Sequence, residues 1–248
     1  TDLVPDTTYY FRAYATSSAG AGFGSIENFT TDPEPVYISI GGTLYSDEGT
    51  TPITTGKTIK LAVGTSTVSV HSTSTDSGAG TFHFGIWDTD LIATGTPITM
   101  WVDGGVTYAS LISELSSTTE SVSGLDLYED TVIVRAEGAT STALAEMSTY
   151  DSVDDVDIQF TASTTLDSLN ILNAQEFHIW SGDTFTAPAS TTYSGSFHND
   201  SGVFTHNSGV STFTGTSKTI SGTTTGTSAL GNITITGSYT MSDSASTS

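Results

Sequence analysis

Apolar and polar residues alternate in short runs along this chain. In TTYYFRAYAT, residues 7–16, Tyr9, Phe11, Ala13 and Ala15 share one side of an extended segment, and Tyr10, Arg12 and Tyr14 the other. That period of two predicts a strand. Residues 17–22, SSAGAG, are turn material, and residues 24–31 alternate again, so the pair predicts a hairpin. Asp32-Pro33-Glu34-Pro35 breaks the pattern as a linker. Further strands are predicted at 36–40, 58–63, 68–70, 81–86 and 98–102, with Gly, Asp and Pro between them, the pattern of a sandwich. Residues 109–115 fit a strand or one helical turn, residues 125–135 a strand or strand pair, and residues 143–147 a short helix.

From about residue 162 the predicted strands shorten: 169–172, 176–180, 184–186, 195–197, 203–205, 211–213, 219–220 and 231–236. Such strands are too narrow to bury a face alone and become stable by stacking, as solenoid rungs do. The expected fold class is therefore all-β: an N-terminal hairpin over residues 1–33, a sandwich over 34–122, and a short-strand solenoid over 123–248. Within the last part, SGSFHNDSGVFTHNSG (194–209) repeats itself. It is expected to form two successive rungs, with Phe197 and Phe204 facing inward and His198 outward. The competing expectation is a metal or catalytic site in which His198, His206 and Asp200 converge. Ala162-Ser163-Thr164-Thr165 also has an echo in Ala245-Ser246-Thr247-Ser248.

Charge narrows the function classes. Lys and Arg total 5 against 27 Asp and Glu, a formal net charge of −22. Nucleic acid and anionic membrane both require a basic face, so neither is an expected partner. Cations are attracted instead. Roughly a third of the residues are Ser or Thr, which, with Val, Ile, Tyr and Phe, favours strands. There is no cysteine, which excludes disulfides, thiolate metal ligands and cysteine nucleophiles. No run has the length of a membrane-spanning helix, so membrane insertion is not expected. TDLVPDTTYY has neither the basic nor the apolar region of a signal peptide. If secreted, the chain is expected to be a fragment or a processed product.

The candidate cation site is the acidic run holding Asp151, Asp154, Asp155 and Asp157. Oxygen donors in a loop suit calcium, although the glycine and terminal glutamate of an EF-hand are missing. The alternative is solvated loop acid. Asp47-Glu48 and Asp88-Thr89-Asp90 are similar candidates. No nucleophile elbow or phosphate loop is present, and acids are too plentiful for any pair to stand out as a hydrolytic one. Trp87, Trp101 and Trp180 are either core residues or a sugar-stacking platform. Asn28, Asn199 and Asn232 head glycosylation tripeptides.

Three stretches carry resemblances. LVPDTTYYFRAYATSSAGAGFGSIENFTT resembles the last two strands of a bacterial fibronectin type III domain, through its Leu-x-Pro-x-Thr-x-Tyr start, Arg-Ala-Tyr-Ala-Thr strand and closing Phe-Thr-Thr. GTLYSDEG, TGKTIKLAV and TDSGAGTFHFGI resemble the carboxypeptidase-regulatory-like, Ig-type sandwich of bacterial surface proteins. Gly195, Phe197, Asn199, Gly202, Phe204 and Asn207, with the following Gly209, Phe213 and Gly215, resemble β-helical repeats of large bacterial surface proteins; LDLYEDTVIVR (125–135) looks like a recurrent strand of the same class. Together these resemblances imply an extracellular or cell-surface, modular, structural protein. The expected role is a non-enzymatic subunit that assembles with copies of itself into a surface layer or filament. The alternatives are an adhesin that binds surface glycans and a β-helical polysaccharide-degrading enzyme.

Overall fold

The computed structural model describes residues 3–34, 37–64, 68–87, 94–115, 117, 119–137 and 141–242. Asp88, Asp90 and the echo at 245–248 lie outside the described residues. The chain divides into two compact units, Thr1–Val36 and Tyr37–Ser248. Among the described residues, no helix is long and apolar enough to cross a membrane.

The first unit is a hairpin interrupted midway. Thr8–Phe11 (β1) pairs antiparallel with Glu27–Thr30 (β4), and Tyr14–Ser17 (β2) with Gly20–Phe23 (β3). The expected turn at 17–22 is thus shorter, because Gly20 and Gly22 join the ladder opposite Ser17 and Ala15. Tyr9 stacks on Phe29 across the outer pair. Both ladders are two-stranded, and the side chains of Tyr10, Phe11, Tyr14, Phe23 and Phe29 are exposed.

The second unit opens as a sandwich. Tyr37–Tyr45 (β5) pairs with Thr81–Trp87 (β8). Thr58–Gly64 (β6) pairs with Val68–Ser74 (β7) and with Pro97–Asp103 (β9), which pairs with Ala109–Glu114 (β10). Leu127–Tyr128 (β11) runs parallel to β5. Each sandwich strand expected from alternation lands on an observed one, and residues 109–115 resolve as strand. Ile38, Ile40, Phe84 and Ile86 of one sheet meet Ile59, Leu61, Met100 and Leu111 of the other in a buried core.

The sandwich and the solenoid share a sheet. Thr131–Val134 (β12) pairs parallel with β10. From there the same ladder continues through Glu176–Ile179 (β16), Phe197–Asn199 (β19), Lys218–Gly222 (β22) and Tyr239–Ser242 (β24). The change of architecture near residue 123 is therefore no break in packing. Ile133 faces the sandwich core while Val132 and Val134 face the solenoid core, the two-sided burial usual in parallel sheets.

Two further ladders complete a three-sided parallel coil of about 6 turns. One runs Thr142–Ala143 (β13), Thr184–Thr186 (β17), Val203–Thr205 (β20), with Gly226–Ser228 as a 3-10 turn on the next rung. The other runs Ser168–Ile171 (β15), Ser190–Tyr193 (β18), Val210–Phe213 (β21), Asn232–Ile235 (β23). Phe177, Phe197 and Ile220 are in register, 20 and 23 residues apart, so one rung takes some twenty residues. The core is built of aromatic columns: Phe177 on Phe197, Phe185 on Phe204, Tyr193 on Phe213. Rungs approach closely where no side chain intervenes; a Cβ on Gly195 would lie 1.9 Å from the Gln175 carbonyl oxygen.

That geometry corrects the expectation for residues 194–209. Phe197 and Phe204 do point inward, but they sit on adjacent sides of one rung (β19 and β20), not on successive rungs. The rung-to-rung partner of Phe197 is Phe177, and that of Phe204 is Phe185. Asn199 marks the corner between the two sides. It is fully buried, its Nδ2 donating to the carbonyls of Gly202 (3.0 Å) and Thr223 (2.7 Å). Its buried amide is inaccessible to glycosylation in the folded chain, whereas Asn28 and Asn232 are exposed.

An insertion closes the first turn. Leu144–Met147 (α1), the acidic loop and Phe160–Ser163 (β14) intervene between β13 and β15, and β14 pairs antiparallel with β15. Leu144, Met147, Ile158 and Phe160 cover the core there, joined by Ala62, Trp101 and Ile112 from the sandwich sheet. Solenoid ends need such covering because an inward face has no neighbour beyond the last rung.

Candidate functional site

Alternation along β16 sends Phe177 and Ile179 into the core and His178 to the outer face. There it stands in register with Ile133 on one side and with His198, Ser221 and Ser242 on the other. His198 is half-buried, with Nδ1 2.8 Å from Ser221 Oγ. His178 is only 3% exposed, walled by the rings of Tyr128, Trp180 and His198 at centroid distances of 6.1, 6.0 and 4.8 Å. Neither ring nitrogen of His178 has a hydrogen-bond partner among the described residues, and neither has Glu176 Oε1. The latter lies 3.5 Å from His178 Nδ1.

Beside this pair opens a cleft of about 350 Å³, lined by Asp47, Glu48, Glu129, Asp130 and Glu176 with Lys218 as their cation. Lys218 Nζ donates to the Ala174 carbonyl. Glu48 enters from the turn after β5, which the Asp47 carboxylate fixes by accepting the Thr50 and Thr51 N–H groups at 2.7 and 2.8 Å. The Thr51 hydroxyl and these two amides hold Asp47 below the usual carboxylate range. Tyr128, at the back of the turn, is pushed up to about 12, first by burial and then by the charges of Asp126, Tyr45 and Glu48. One donor atom each from Glu48, Glu176 and His178 lies within 4.8 Å of the other two.

The acidic run expected to hold calcium is split between two jobs. Asp151 is buried, Oδ1 accepting from Val153 N–H at 2.8 Å and Oδ2 from Ala162 N–H at 2.7 Å. Asp154 accepts from Asp151 N–H. These two acids shape the loop. Asp155 and Asp157 instead gather with Asp103; Lys60 pairs with two of the three, 2.8 Å from Asp103 and 3.3 Å from Asp155, and Asp157 accepts Gly104 N–H at 2.9 Å. His198, His206 and Asp200 do not converge either. His206 follows β20 and accepts Ser208 N–H at its own turn, and Asp200 is exposed. Of the tryptophans, Trp101 is buried against Tyr150, Trp180 packs under the Arg135 guanidinium, and Trp87 is exposed beside Tyr37.

Glu114, at the end of β10, shares a hydrogen bond with Glu146 of α1, whose other bond is to Ala143 N–H. Burial first, then the Glu146 charge and hydrogen bond, push Glu114 up to about 7. The folded pair thus keeps a proton that an unfolded glutamate releases near pH 4.5. Folding then gains stability as pH falls from about 7 toward 4.5 and loses it as pH rises through 7. Glu114→Gln is expected to raise the melting temperature at pH 8 by roughly 2–4 °C, a shift of ~1 kcal/mol that allows for the pair's partial exposure. It should also flatten the profile between pH 8 and 5. Scanning calorimetry of both proteins decides it; parallel profiles would mean the pair carries no such linkage.

The Glu48–Glu176–His178 group was not anticipated from the sequence, although Phe177-His178 and Phe197-His198 repeat at the true rung spacing. No protein-family model matches the chain, and no curated protein or solved structure matches it.

Proposed function

We propose that the chain is a structural subunit of an extracellular surface layer or filament, assembling with copies of itself. The observation that carries this reading is the N-terminal hairpin. Its ladders are two-stranded, and Tyr10 is 71% exposed, with Phe11, Tyr14 and Phe23 similarly bare. A lone hairpin is marginal in water, and open strand edges recruit further strands. On the final described rung Ile235 and Met241 are exposed, whereas Phe213 and Ile220, in register on the rung before, are buried. A further rung or a second copy would cover them. The net charge of −22 opposes association until salt screens it.

Sedimentation velocity across protein concentration and ionic strength tests the proposal. Species heavier than the 25.7 kDa chain are expected to grow with both, and Phe29→Lys in the hairpin is expected to reduce them. A single 25.7 kDa species under all conditions would overturn the reading.

A further inference from the structure

We infer that Glu48, Glu176 and His178 form a binding site for a divalent transition-type cation such as zinc, at the seam between the sandwich and the solenoid. Two independent observations meet there. The first is charge: five carboxylates face one ammonium in the cleft, which concentrates cations locally. The second is His178, nearly wholly buried and, among the described residues, without a hydrogen bond at either nitrogen; its Nδ1 has a 3.5 Å ion-pair contact with Glu176 Oε1, which also lacks a hydrogen bond. A buried polar atom left without a hydrogen bond is destabilising. A cation held between this nitrogen and this oxygen would satisfy both.

The geometry fits one ion. Tetrahedral ligands at zinc distances are about 3.4 Å apart, and His178 Nδ1 and Glu176 Oε1 are separated by 3.5 Å. Glu48 completes the set within 4.8 Å; its side chain is exposed and free to close the remaining gap. Its backbone is already placed by the Asp47 turn, with Ser46 N–H bonded to Thr51 O at 2.9 Å. The donor chemistry selects the metal class. An imidazole with two carboxylates suits zinc and its first-row neighbours, whereas calcium prefers an all-oxygen shell. Three protein ligands and an open cleft leave a fourth position for water. Glu48 belongs to the sandwich and the other two to the second rung, so the ion would tie these parts together.

Isothermal titration of the untagged full chain with zinc chloride, and separately with calcium chloride, tests the assignment. The expected result is about one equivalent of zinc bound at micromolar or tighter Kd, with calcium much weaker. Glu48→Gln removes an exposed carboxylate and should leave the fold intact while weakening zinc ~10-fold or more, since losing a ligand costs at least as much as losing one of its outer-shell supports. The cobalt-substituted protein should lose its visible absorption band in Glu48→Gln and in His178→Gln, and Asp157→Asn should change neither measurement. If His178→Gln fails to fold, Glu48→Gln alone decides. Absence of saturable zinc binding, unchanged affinity in Glu48→Gln, or calcium binding as tight as zinc would overturn the inference.

Discussion

Phe197→Ala is expected to destabilise the solenoid by about 3–5 kcal/mol, the usual range for truncating a buried phenylalanine. Phe197 has no solvent exposure and touches three sides of the coil at once. Its ring stacks on Phe177 at 6.1 Å and meets Tyr193, Phe204 and Phe213 edge-on at 5.4, 5.6 and 6.3 Å. The loss should not spread evenly. Rungs interact with their neighbours only, so a cavity in one rung uncouples those beyond it. Hydrogen exchange should therefore show protection falling from β19 to β24 while the Ile38–Leu111 sandwich core keeps its own. Val203→Ala is the control, because Val203 lies on the same rung and is 38% exposed; its cost should stay near zero. A Phe197→Ala protein that loses less than about 1 kcal/mol, or loses protection uniformly, would contradict the stacked-rung account.

Asn199→Asp should be of similar size through a different mechanism. The Asn199 amide donates to two carbonyl oxygens at 3.0 and 2.7 Å from a position with no solvent exposure. An aspartate there would aim a carboxylate oxygen at those same acceptors with no donor to meet it. Burying an uncompensated charge costs several kcal/mol, so the group will hold a proton instead. Its folded pKa is then raised above the unfolded value near 3.9. By linkage, the variant's deficit against wild type is largest at neutral pH and shrinks as pH falls through the raised folded value. Asn199→Ala should cost less, about 1–3 kcal/mol, and show no such pH dependence, since Gly202 O still accepts from Ser228 Oγ at 3.1 Å. Calorimetry of the three proteins between pH 7 and 4 checks both statements. A pH-independent deficit in Asn199→Asp would mean that the corner opens to water.

Legibility followed the strength of the local pattern. Thr81–Trp87 alternates buried and exposed without exception, and its strand was evident from side-chain periodicity alone. Ser190–Tyr193 and Tyr239–Ser242 went unnoticed because their inward positions include Thr191, and the segments look like turns. Hydroxyl residues serve there because the coil, not the single strand, supplies the apolar surroundings. The rung spacing was also misjudged. The seven-residue echo between Phe197 and Phe204 is louder than the twenty-residue one between Phe177-His178 and Phe197-His198, yet it reflects two sides of one turn having similar corners. The acidic run is divided by its own turn. Asp151 and Asp154 accept backbone amides within the loop, while Asp155 and Asp157 gather with Asp103, a partner that only the fold supplies.

What the amino-acid sequence determined by itself was local: an all-β chain, short strands after a sandwich, solenoid phenylalanines turned inward, and a strongly acidic net charge. Each follows from the two-residue period of a strand or from summed composition, and neither needs long-range contacts. Tertiary structure alone decided which strands stack, that one sheet runs from sandwich to solenoid, and that Glu48 reaches Glu176 and His178. Glu176 and His178 are neighbours on one face of β16, but Glu48 is remote from both along the chain and shares no local pattern with them. They meet because β11 pairs with β5 while β12 pairs with β16, which brings the turn after β5 beside the second rung, and the burial of His178 comes from rings that only this pairing assembles.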